Sequence, residues 1–134
     1  MTKENTEIPR GNSPKEFLFR KKFITDRLSK LSGESVNCPA LGNHPVLITR
    51  KSIEETAHHA AKSFKSTVAA LDLKNQLKTA SFVRYHLPKN NNQTKKYDFI
   101  FLVELKGDFE GIPTTLMIGA KITARFIHYS LTVK

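Results

Sequence analysis

The chain has 134 residues, 39% hydrophobic and 25% charged, with 22 Lys and Arg against 12 Asp and Glu for a formal net charge of +10. That length supports one core without covalent staples, and the composition excludes wholesale disorder. The single cysteine, Cys38, excludes an intrachain disulfide and a thiolate metal site built from this chain alone, so a reducing, cytoplasmic setting is expected.

Residues 1–12 are polar, contain Pro9 and Gly11, and read as a flexible leader without the apolar centre of a secretory signal. Ser13 and Pro14 then make a helix start, and Phe17, Ile24, Leu28 and Leu31 lie on one stripe of an extra helix over 13–32. Arg20, Lys21, Lys22, Arg27 and Lys30 are assigned to its solvent side. Gly33 to His44 reads as a loop, with Cys38 an incidental thiol. Val46 to Ile48 is a short extended piece. Ser52 and Glu55 form a capping-box pattern ahead of a helix beginning near Ile53, which breaks at Ser66 and Thr67 and resumes to about Ala80.

From Ser81 the hydrophobic period changes to two. Strands are predicted over Ser81–Leu87, Tyr97–Leu105, Thr114–Lys121 and Thr123–Val133, separated by a solvated loop at Pro88–Lys96 and a hairpin at Lys106–Pro113. The expected fold is α+β: N-terminal helices packed on one face of a four-stranded antiparallel meander, in a single domain over 13–134. No long uncharged apolar run is present, so no membrane partner is expected.

The last strand holds the densest polar chemistry. Strict alternation puts Ile127, Tyr129, Leu131 and Val133 on one face, and Phe126, His128, Ser130 and Thr132 on the other. A titratable imidazole between hydroxyls, with Lys121 and Arg125 just upstream, suits phosphate. Arg125 itself aligns with Ile127 unless a bulge near Phe126 re-aims it. His58 and His59 lie off the apolar stripe of their helix, each four residues after a glutamate, Glu54 or Glu55. Arg84 and His86 leave one face of the first strand.

Should that face also carry His128, the parts of metal-independent RNA cleavage would be present: imidazoles as base and acid, and cations for the charge on phosphorus. His58, His59, His128, Arg84 and Arg125 are then the catalytic candidates, and His86, Lys121, Tyr129, Ser130 and Thr132 the substrate contacts. No HExxH, cysteine cluster, glycine-rich phosphate loop or Gly-x-Ser-x-Gly elbow occurs, so neither a metal nor a cofactor is expected. The basic charge favours RNA or another single-stranded nucleic acid as partner, and an acidic inhibitor protein after it. A non-catalytic nucleic-acid-binding module and an interaction protein are the alternatives.

The run Val46-Leu47-Ile48-Thr49-Arg50-Lys51-Ser52-Ile53, the His-bearing helix, the short helix after it, the strand opening near Ala80-Ser81-Phe82-Val83 and the closing meander together resemble a known group. They are similar to the large polyvalent protein-associated domains of phages and mobile elements, grouped with the barnase/EndoU/colicin/RelE-like ribonucleases. The resemblance covers 46–134. It implies a pair of helices followed by a four-stranded antiparallel sheet, and a toxin-like ribonuclease using His58 or His59 with Arg84, Arg125, His128 and Ser130.

Overall fold

The computed structural model describes residues 8–89 and 97–133, so the leader's first seven residues and most of the Pro88–Lys96 loop lie outside the described residues. Helix α1 (Pro14–Leu28) starts as a reciprocal capping box: the Ser13 hydroxyl accepts from the Glu16 amide and the Glu16 carboxylate reaches back. Of the leader, Ile8 is buried against the fold. Helix α2 (Arg50–Ala60) begins one turn earlier than expected, because Thr49 and Ser52 cap each other across 3.2 Å. It ends before Ser63, which caps α3 (Phe64–Ala70); α4 (Leu73–Thr79) follows. The hydroxyls of Ser66 and Thr67 both donate to the Ala60 carbonyl, satisfying the end of α2 and holding the corner there rather than at their own positions.

The sheet is larger than the four-stranded antiparallel meander expected. Among the described residues it has six strands in the order β1-β2-β6-β5-β4-β3. The stretch expected as a loop contains β1 (Ser35–Cys38), antiparallel to β2 (His44–Leu47), and β2 joins the sheet by pairing parallel to β6 (Phe126–Val133). Strands β3 (Ser81–His86), β4 (Phe101–Phe109) and β5 (Ile112–Ala120) complete an antiparallel run with β6. Cys38 is not an incidental loop thiol: it is fully buried in β1, and burial raises its pKa.

Both faces of the sheet are covered. On one, Val103, Leu105, Leu116, Ile118 and Leu131 meet Ile24, Leu28, Ile53, Leu73 and Leu77 from the helices. On the other, Leu102 and Ile127 join Tyr97, Phe99 and Tyr129 in a second cluster. Tyr97 to Ile100, predicted as the start of a strand, instead folds across this second face, with the Tyr97 and Phe99 rings stacked at 5.0 Å. Gly119 makes this close approach feasible, since a Cβ there would lie 2.2 Å from Phe99 Cζ. Gly119→Ala is therefore expected to cost about 1–3 kcal/mol, as overpacking does, and urea unfolding measures it. A neutral result would mean that the Phe99 ring is not locked between Tyr97 and Tyr129.

Candidate nucleic-acid interface

The register between β5 and β6 changes the expected faces of the last strand. Met117 pairs with Ser130 but Ile118 pairs with His128, leaving Tyr129 as the extra residue of a bulge. Cross-strand partners share a face, so His128 lies with Ile118 on the helix side, not in an open row with Ser130 and Thr132. It is fully buried, and neither ring nitrogen has a hydrogen-bond partner of good geometry among the described residues. Burial lowers its pKa from 6.5 to about 4, offset only in part by the backbone of Ser130. His128 is thus neutral near pH 7 and sealed from any bound phosphate, which corrects its expected placement. Thr56 Oγ1, on the helix that packs against β6, is likewise buried without a partner among the described residues.

The remaining candidates are dispersed. Arg84 and His86 leave β3 on the face opposite His128, where Glu104 Oε1 lies 3.7 Å from Arg84 Nε and 2.7 Å from His86 Nε2. Lys121 and Arg125 close the turn between β5 and β6, the Lys121 amide donating to the Arg125 carbonyl at 2.9 Å. Arg125 is exposed and lines a small cleft of about 170 Å³ with Ser35 and His44. The bulge that was to re-aim it lies instead at Tyr129. Ser130 and Tyr129 are themselves buried, at 6% and 7% exposure, which removes both from solvent contact. His58 is exposed, its ring edge-on to Phe17 at 5.9 Å.

His59 and Thr132 do come together. They line one recess of about 340 Å³ with Lys62, Ser63, Lys65 and Ser66, at the corner between α2 and α3 and the end of β6. Glu55 Oε1 lies 3.3 Å from His59 Nε2 and orients the ring. Tyr97, whose pKa is pushed up to about 12 by burial first and by the Glu55 charge next, stays protonated beside that carboxylate. Two exposed ammonium groups and an imidazole around a recess of this size offer donors to a phosphate. Lys62 and Lys65 carried no weight in the sequence reading. No local pattern marks them, because a spacing of three keeps one side only within a continuous helix and the chain breaks at Ser63 between His59 and Lys65.

Among the described residues, no three His, Cys, Asp or Glu side chains gather as a metal site requires, and no helix is long and apolar enough to cross a membrane. Comparison with protein-family models, with curated proteins and with solved structures finds no match.

Proposed function

We propose that this chain is a nucleic-acid-binding module, directed at RNA or another single strand, that grips phosphate in the recess of His59, Lys62 and Lys65 and does not itself cleave. The observation that carries this reading is the convergence of those three donors on one recess in a chain of net charge +10. Binding without cleavage is favoured over the expected ribonuclease because its acid/base pair needs a helix histidine and His128 within reach of one phosphate, and His128 is buried away from solvent. The resemblance to the phage-associated, ribonuclease-like domains stays part of the proposal. Helices α2 to α4 followed by the β3–β6 run support it.

The test is a salt titration of single-stranded RNA binding by the wild type and by a Lys62→Ala/Lys65→Ala variant. The variant should bind more weakly, and its slope of log affinity against log salt should flatten by about 1.4, the share of two phosphate contacts on a single strand. An unchanged slope would move the phosphate site elsewhere. Absence of wild-type binding at low salt would leave the charge to an acidic protein partner. EDTA-resistant cleavage lost in His59→Ala would replace the binding module with a ribonuclease.

A further inference from the structure

A single strand presents bases as well as phosphates, and β3, at the end of the sheet, carries rings placed to receive them. Phe82 and Tyr85 are 45% and 67% exposed, with centroids 5.0 Å apart, and Tyr85 stands edge-on to the half-buried Phe101 at 5.6 Å. Residues three apart on a regular strand point to opposite faces. Here the register jumps between Phe82 and Arg84, leaving Val83 as an extra residue, and both rings emerge on one face, opposite Leu105 and Val103. The bulge thus assembles an aromatic surface that plain alternation would divide.

Leaving large rings in water forfeits the free energy of burying them, so a contiguous exposed group of this kind marks a binding surface. In a chain of net charge +10, exposed Lys78 closes α4 just before the strand, while Arg84 and Lys106 leave the reverse face of the same edge, Arg84 beside Glu104. Exposed rings on the edge of a strongly basic domain match a chain of flat bases on an anionic backbone.

We propose that Phe82, Tyr85 and Phe101 form a base-stacking platform for single-stranded nucleic acid. This rests on the nucleic-acid reading above and adds the part of the ligand held at the far edge of the sheet. Stacking tolerates any base, so the platform supplies affinity without a strict sequence preference.

The chain has no tryptophan, and its other tyrosines, Tyr97 and Tyr129, are only 5% and 7% exposed, so quenching of tyrosine fluorescence by an added oligouridine reports on Tyr85. Because both variants lack Tyr85, affinities are read from the anisotropy of an end-labelled strand: the experiment titrates wild type, Phe82→Ala/Tyr85→Ala and Tyr85→Phe with a labelled RNA oligonucleotide and with a labelled abasic strand of equal length. The alanine variant should lose about 5- to 150-fold in affinity per stacked base while keeping the wild-type salt slope. Tyr85→Phe should retain the affinity, because the ring and not the hydroxyl stacks, and the abasic strand should bind the wild type as weakly as RNA binds the alanine variant. Equal RNA affinity of wild type and alanine variant, or equal affinity of base-bearing and abasic strands, would overturn the platform alone. So would an alanine variant whose oligomeric state changes while its RNA affinity does not, since the edge would then join copies of the chain. A wild type that binds no RNA at low salt would overturn the nucleic-acid reading itself.

Discussion

Replacing Arg20 with alanine is expected to lower stability by about 3–5 kcal/mol, the largest loss of any single substitution considered. Arg20 is 1% exposed and donates from Nε to the Ala61 carbonyl at 2.7 Å and from one terminal nitrogen to the Pro9 and Gly11 carbonyls at 3.0 and 2.7 Å. The Ala61 carbonyl stands at the end of α2, where carbonyls lack helical partners and the dipole favours a cation. One side chain thus ties the 8–11 segment, α1 and α2 together. Hydrogen bonds from a charged donor contribute roughly 1.5–3 kcal/mol each, and bonds that share one side chain are not additive. Urea unfolding of Arg20→Ala beside Arg20→Lys decides the matter: lysine, with a cation but no planar fork, should recover only part of the loss. A loss of less than about 1 kcal/mol in the alanine variant would mean that water replaces the guanidinium.

Acid should expose the second large effect. His128 has a folded pKa of about 4 against an ordinary value of 6.5, so between those values the unfolded chain takes up a proton that the native chain refuses. Its contribution is therefore intact above pH 6.5, falls as pH drops through that window, and is fully lost near pH 4. The loss amounts to about 3 kcal/mol. His128→Leu, which removes two unpartnered ring nitrogens at similar volume, should match or exceed wild-type stability at neutral pH and show a flatter decline. Unfolding curves of both proteins across the window provide the measurement. Parallel declines would assign the acid loss to carboxylates instead of His128.

Both residues show what a sequence pattern carries and what it hides. Arg20 lies three residues after Phe17 and four before Ile24, on the buried stripe of α1, and not on the solvent side to which its charge assigns it. The three carbonyls that accept it come from segments whose approach no local pattern encodes. For β6 the limit is sharper. Alternation holds only while the register is regular, and one extra residue at Tyr129 moves His128 from the expected open face to the core. The helices and the change of period at Ala80 were legible because capping and periodicity are local. Strand β1 is four residues long in a stretch rich in proline and glycine, and the parallel β2–β6 pairing joins residues about eighty positions apart. The recess at His59 depends on that same long-range closure, which brings Thr132 to the α2–α3 corner.

The position of β6 has a kinetic consequence. Of the six described strands it is the last in chain order, yet it lies inside the sheet, between β2 and β5. Until residues 126–133 leave the ribosome, β1 with β2 and β3 through β5 are two separate pieces that share no ladder, each with an unsatisfied inner edge. Local helices can form before that, but joining the sheet waits for β6 and pays the loop-closure entropy of nearly the whole domain in one step. The nascent chain accordingly exposes sticky edges until β6 is inserted, which makes that interval the time at which a chaperone would have most influence on yield.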